Sequence, residues 1–132
     1  MKSKYTLLIT LSLIGGGASV CKSLGIGLDT LHSIEKALGN SIYLHAIVAI
    51  SLGAAGQLSS ERRIINKAFV NPIIIPIILM VILDESLQLY SSSRHFSWLD
   101  MSANVAGVLF GALSAQLLIT THKLIGYTNS PK

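Results

Sequence analysis

Charged side chains are scarce in this chain. Asp, Glu, Lys and Arg together make up 12% of the 132 residues, whereas hydrophobic residues make up 51%. A soluble globular domain usually carries about 25% charged residues. The shortage argues against a water-soluble protein, and the length leaves room for one domain only, spanning residues 1–132.

Cysteine is also nearly absent, since Cys21 is the single one in the sequence. It has no partner for an intramolecular disulfide and no neighbours at the spacing of a zinc site. We therefore expect no bound metal and no cofactor. The net charge of +4 comes from basic residues that are scattered along the chain and form no basic stretch. We expect no nucleic-acid partner for the same reason.

Long apolar runs are what the sequence has in abundance. Crossing about 30 Å of hydrocarbon takes about 20 helical residues, and a helix satisfies its own backbone hydrogen bonds in lipid. The runs 41–58 and 101–121 contain no charged residue, so they lack the polar face of a soluble amphipathic helix. The pattern predicts an all-α integral membrane bundle of four transmembrane helices, at about residues 5–21, 41–58, 68–90 and 100–121. We expect Pro76 to kink the third helix.

The distribution of Lys and Arg predicts how these helices are oriented. Seven of the ten basic residues lie in the amino-terminal tail, in the segment 59–67 and after residue 121. The other three lie in the segments 22–40 and 91–99. Because basic loops tend to stay in the cytoplasm, we expect both termini there.

Two segments are open to more than one interpretation. A basic start, an apolar stretch and the small residues Gly17, Ala18 and Ser19 resemble a secretory signal with a cleavage site. We favour a retained first helix, because its length and the charge balance both permit one. The segment 22–40 is either a short amphipathic helix at the membrane interface or an irregular outer loop.

Polar residues cluster at the outer end of the third predicted helix. At about 100° per residue, Asp84, Glu85 and Gln88 fall within roughly one third of a helix circumference. Arg94 follows in the loop and is suited to bind a carboxylate bidentately. These residues are candidates for a polar site, because ionisable groups within membrane segments are by default functional candidates.

The fourth predicted helix carries a matching stripe. Asp100 and Asn104 lie at its outer end, and Gly107 and Gly111 continue the same face. The Gly-x-x-x-Gly spacing lets another helix approach closely, and we expect the third helix to bring its carboxylates against this end. His45, about one turn into the second helix, either joins this cluster or forms an interhelical hydrogen bond. A network that only locks the helices together is the structural alternative.

The region from residue 84 to residue 111 resembles the signature of VanZ-like membrane proteins. The matching positions are Asp84-Glu85-x-x-Gln88, Arg94, Asp100, Asn104-x-x-Gly107 and Gly111. An earlier family motif, an Asp-Lys pair followed by His and an aromatic residue, is matched in part. His45 corresponds to the His, Ala46 replaces the aromatic residue, and the Asp-Lys pair is missing. The resemblance implies a small multi-helix protein of the bacterial cytoplasmic membrane, in a family linked to resistance to glycopeptides such as teicoplanin.

These features favour a membrane protein that binds an envelope component through an outward-facing acidic, amide and Arg cluster. An envelope precursor, a lipid headgroup or a glycopeptide would be the ligand, with a role in antibiotic or envelope-stress resistance. The alternative is a membrane enzyme acting on a lipid-linked or headgroup substrate, with a carboxylate as general acid–base and a divalent cation on oxygen ligands. No residue stands out as a nucleophile. A transporter is the least favoured class, because transport sites usually lie near the membrane midplane.

Overall fold

The computed structural model describes residues 3–59, 70–91 and 95–128, and every regular element in these ranges is helical. The all-α class expected from the sequence is therefore confirmed. The α-helices, numbered in chain order, are α1 (Ser3–Ser23), α2 (Leu28–Leu38), α3 (Ser41–Leu58), α4 (Ile74–Leu87) and α5 (Trp98–Thr128). A 3-10 turn, Gln88–Tyr90, extends α4.

Helix α3 has the bounds expected from the sequence, and local hydrogen bonds explain both ends. The side chain of Asn40 accepts a hydrogen bond from the backbone N–H of Ile42, which caps the first turn. At the other end, the hydroxyl of Ser59 donates to the carbonyl of Gly56. Within the described ranges, α3 and the Trp98–His122 part of α5 are the helices long and apolar enough to cross a membrane.

The third predicted helix begins later than expected. Residues 68 and 69 lie outside the described residues, and α4 begins at Ile74 after a turn. Asn71 fixes this turn, because its side-chain oxygen accepts from the N–H of Ile73 and its amide donates to the Gly56 carbonyl. Pro76 therefore falls in the first turn of α4, where backbone N–H groups have no helical partner. The predicted kink has no cause at that position, since Pro76 removes no helical hydrogen bond.

The segment 22–40 contains a helix and is not an irregular loop, whereas its place at the membrane interface stays a prediction. Glycines flank α2 on both sides, Gly27 with φ 68° and Gly39 with φ 91°. Glycine adopts this left-handed conformation without strain. The N–H of Gly39 also donates to the carbonyl of Lys36, which closes the helix.

Helices α3 and α5 pack backbone to backbone through glycines on both sides. A Cβ at Gly111 would overlap the carbonyl oxygen of Ile50, and a Cβ at Gly53 would overlap that of Val108. Only glycine allows helices to approach this closely. The sequence predicted a close approach at Gly107 and Gly111, but with the helix of residues 68–90 as the partner. The helix that lies against them is α3, because it supplies Gly53 and other small residues.

The contacts between helices fix their relative directions. α3 and α5 run parallel, since His45 lies near Asp100 at one end and the Gln57 side chain bonds to Gln116 at the other. α4 runs antiparallel to α3, because its first residues pack at Gly56. The start of α3, the end of α4 and the start of α5 therefore meet at one end of the bundle, which we call the site end.

Candidate functional site

A cavity of about 320 Å³ lies between the helices toward the site end. All five α-helices of the described ranges contribute to its wall. Much of that wall is apolar, with Val48 and Leu52 of α3 and Val81 of α4 among its residues. Each helix also contributes one polar residue, and these five are Ser19, Glu35, His45, Asp84 and Asn104.

Asp84 links α4 to α1 across the cavity wall. Its Oδ1 atom accepts a hydrogen bond of 2.6 Å from the hydroxyl of Ser19, which is 65 residues earlier in the chain. A hydrogen bond to a charged acceptor contributes about 1.5–3 kcal/mol. The pair therefore helps to hold α1 beside α4 and keeps the Asp84 carboxylate at the cavity.

His45 and Asp100 bring α3 and α5 together at the same end. The Nε2 atom of His45 lies 3.9 Å from Oδ2 of Asp100, and both side chains are slightly more than four-fifths buried. This distance permits an ion pair when the imidazole is protonated. The backbone N–H of Asp100 donates to the hydroxyl of Ser97, which caps the start of α5.

Asn104 is the polar residue of the cavity with no partner in the described part of the chain. It is 6% exposed, and no described residue forms a hydrogen bond with its side chain. Buried amides are normally paired. Every fully enclosed polar side-chain atom of the described residues has a hydrogen-bond partner. The Asn104 amide has none among these residues, so it is not fully enclosed and must face the open space of the cavity that it lines. Its donor and acceptor atoms are available to a molecule bound there.

Glu85 and Gln88 belong to a second group, which does not line the cavity. Glu85 is fully buried, and its Oε2 atom accepts a hydrogen bond of 2.6 Å from the side-chain amide of Gln88. Its Oε1 atom accepts a hydrogen bond of 3.1 Å from the backbone N–H of Ser97. Both carboxylate oxygens are thus satisfied within the protein. We call Glu85, Gln88 and Ser97 the anchor group, because they tie the end of α4 to the segment before α5.

The predicted polar cluster is therefore divided between two places. His45, Asp84 and Asn104 line the cavity with Asp100 beside them, whereas Glu85 and Gln88 form the anchor group. Arg94 lies outside the described residues, so its expected pairing with a carboxylate stays a prediction. In the described part of the chain, no group of three His, Cys, Asp or Glu side chains has an arrangement that could hold a metal ion.

Two polar residues of the cavity were not expected from the sequence. Ser19 lies in the run of small residues that resembled a cleavage site, and Glu35 lies in the segment 22–40. A signal for Ser19 was present, because Gly15 and Ser19 have the small-xxx-small spacing of a helix contact. Glu35 carried no such signal, since its place at the cavity depends on how α2 folds back toward α3.

Comparison with known proteins yields no relative, since no family model, no curated protein and no solved structure matches the chain. The resemblance to VanZ-like proteins accordingly stays a prediction from the sequence, based on the spacing of residues 84–111 and on the partial match at His45.

Proposed function

We propose that this protein is a small multi-pass protein of the bacterial cytoplasmic membrane, of VanZ-like type, that binds the polar part of an envelope component in its cavity. Support for the membrane setting comes from α3 and from the Trp98–His122 part of α5, which are long and apolar enough to span. α1 is apolar over Tyr5–Cys21, and α4 with its 3-10 extension completes the proposed four spans.

The surface of the bundle supports contact with lipid. Large apolar side chains point outward from α1, α4 and α5, among them Leu13 and Leu118, each 70% exposed, and Ile75, 64% exposed. Extensive apolar surface of this kind marks a membrane or protein interface. Together with the excess of basic residues outside the segments 22–40 and 91–99, it favours a bundle with both termini in the cytoplasm and the site end facing outward.

The observation that carries the binding function is the polar lining of an otherwise apolar cavity. Ligand sites typically combine apolar walls with a few convergent polar groups, and here each described helix supplies one such group. The buried, unpartnered amide of Asn104 is the strongest single indication. A side chain in that position lacks a structural partner and is well placed to bond a ligand.

The size of the cavity narrows the choice among envelope ligands. Its volume of about 320 Å³ is at the lower end of the range for small-molecule sites, about 300–1,000 Å³. A lipid headgroup or the lipid-linked end of an envelope precursor suits this volume. A glycopeptide antibiotic is far larger, so we assign any effect on glycopeptide resistance to binding of an envelope component rather than of the drug.

Complementation of a deletion strain tests the proposal. We expect Asp84→Asn and Asn104→Leu to abolish an envelope-stress or teicoplanin-resistance phenotype that the normal gene restores. Asp29→Asn is the matched control, because Asp29 is an exposed acidic residue of α2 that does not line the cavity. Full complementation by both cavity variants, at normal protein levels in the membrane, would refute the proposal.

A further inference from the structure

The charge of the cavity is opposite to that of the whole chain. The sequence has ten basic and six acidic residues, yet the described charged residues that line the cavity, Glu35 and Asp84, are both acidic. A third carboxylate, that of Asp100, lies 3.9 Å from the cavity residue His45. No described Lys or Arg residue lines this space. The site therefore complements a cation.

We propose that the ligand is a membrane lipid whose headgroup carries a protonated amine. This inference rests on the proposed function and adds the charge and the chemical class of the ligand. An ammonium group offers three hydrogen-bond donors and needs acceptors around it. The carboxylate of Asp84 and the carbonyl oxygen of the Asn104 amide are acceptors on two different helices at one cavity, and Glu35 of α2 adds a second carboxylate to its wall.

Asp84 is the residue best prepared for this contact. Its Oδ1 atom is oriented by the Ser19 hydroxyl at 2.6 Å, and its other oxygen accepts no hydrogen bond from a described residue. A carboxylate held in one orientation loses little side-chain freedom when it binds a cation. Charge-assisted hydrogen bonds of this kind are about twice as strong as neutral ones.

The apolar wall requires that the amine be attached to a hydrocarbon chain. Val48, Leu52 and Val81 form part of the wall beside the polar residues. Ile14 and Met80 also line the cavity and are 64% and 40% exposed, so this part of the wall borders the surroundings of the protein. A small hydrophilic amine gains nothing from such a wall, whereas the chain of a lipid buries apolar surface against it.

Native mass spectrometry of the full-length protein in detergent tests this inference with matched lipids. The probes are phosphatidylethanolamine, N-acetyl phosphatidylethanolamine, phosphatidylglycerol and free phosphoethanolamine. We expect phosphatidylethanolamine to bind at least about 10-fold more tightly than its N-acetyl form, because acetylation removes the cation and its charge-assisted hydrogen bonds. Phosphoethanolamine, which has the amine without a chain, should not bind measurably.

Variants of the protein complete the test. Asp84→Asn and Glu35→Gln should each reduce the preference for the amine-bearing lipid several-fold, while Asp29→Asn should leave it unchanged. If Asp84→Asn does not fold, as judged by thermal unfolding, Glu35→Gln provides the same measurement at a partly exposed position.

The possible failures are distinguishable. If phosphatidylglycerol or the N-acetyl lipid binds as tightly as phosphatidylethanolamine, the amine inference is overturned. If Asn104→Leu abolishes that binding, the cavity is still a binding site. Lipid binding that none of Asp84→Asn, Glu35→Gln and Asn104→Leu changes would overturn both the inference and the proposed function.

Discussion

Asp84 and Glu85 are neighbours in the chain, yet their carboxylates bond to different parts of the bundle. Asp84 accepts from the Ser19 hydroxyl in α1 at 2.6 Å, and Glu85 accepts from the Ser97 backbone N–H before α5 at 3.1 Å. Successive helical residues point about 100° apart, so α4 presents one carboxylate to each neighbour. One of them borders the cavity, and the other stabilises the connection between α4 and α5.

The anchor group should therefore be essential to stability. In Glu85→Gln, the new amide NH₂ group faces either the Ser97 N–H, which is a donor, or the Gln88 side-chain amide. In the second case the Gln88 amide must turn its oxygen toward residue 85, and its own NH₂ group then loses its acceptor. We expect a loss of about 1–3 kcal/mol in the free energy of unfolding, as for a buried polar group left without a partner. Chemical unfolding in detergent, followed by far-UV circular dichroism, measures this loss.

Asp84→Asn serves as the control for that experiment. Its carbonyl oxygen still accepts from the Ser19 hydroxyl, and the side chain is only partly buried. We expect a smaller effect on stability than in Glu85→Gln. Equal unfolding midpoints for the normal protein and Glu85→Gln would contradict the role assigned to the anchor group.

The contact between α3 and α5 predicts a strong effect of a single methyl group. In Gly111→Ala the added Cβ meets the backbone of Ile50, which cannot rotate away as a flexible side chain would. Overpacking costs about 1–3 kcal/mol in ordinary cores, occasionally more, and we expect the upper part of this range. Gly17→Ala is the control, because a Cβ there has nothing within 4 Å. A normal unfolding midpoint in Gly111→Ala would rule out the close approach.

A second polar network lies at the opposite end of the bundle and predicts that two substitutions destabilise the protein to different extents. The amide of Gln57 donates to Oε1 of Gln116 at 2.7 Å, and its Oε1 atom accepts from the backbone N–H of Asn71 at 2.9 Å. Gln57→Leu removes both hydrogen bonds, whereas Gln116→Leu removes the first alone. At about 0.6–2 kcal/mol for each interhelical hydrogen bond, Gln57→Leu should be the more destabilising change. Unfolding midpoints in the reverse order would disprove this assignment.

The sequence predicted the helices better than it predicted how they meet. Apolar length alone located α3, because a long apolar run is a local signal. The Asn40 cap found in the structure agrees with the predicted start of this helix. The start of α4 was misplaced because the turn at Asn71 depends on a hydrogen bond to Gly56, a residue of another helix. The partner of the Gly107–Gly111 stripe was also wrong, since spacing reveals a close contact but not the helix that makes it.

The sequence predicted some polar residues of the cavity, namely His45, Asp84 and Asn104, but not their arrangement. Helical periodicity placed Asp84 and Glu85 on one side of the helix, with side chains that point about 100° apart. Periodicity could not reveal that Asp84 faces α1 and that Glu85 faces the segment before α5. Glu35 reaches the cavity only through the folding of the first 40 residues, which no local pattern encodes. Ser19 carried a signal, the small-xxx-small spacing with Gly15.

The single cysteine permits a test of the proposed topology. Cys21 is exposed in the last turn of α1, which we place at the outward end. A membrane-impermeant maleimide should label it in intact cells. A cysteine introduced by Ser130→Cys in a Cys21→Ser background should react only after the membrane is permeabilised. The opposite pattern would show that the bundle is inverted.

Ligand occupancy of the cavity is the most direct test of the central claim. Gly16 lines the cavity and Gly17 does not, and a Cβ at either position has nothing within 4 Å. Gly16→Leu should therefore fill the cavity, while Gly17→Leu adds the same side chain elsewhere on α1. The measurement is the amount of lipid or lipid-linked precursor that stays bound to each purified full-length protein, determined by mass spectrometry. We predict that Gly16→Leu retains several-fold less than the normal protein and Gly17→Leu; equal retention by all three would contradict a binding function for this cavity.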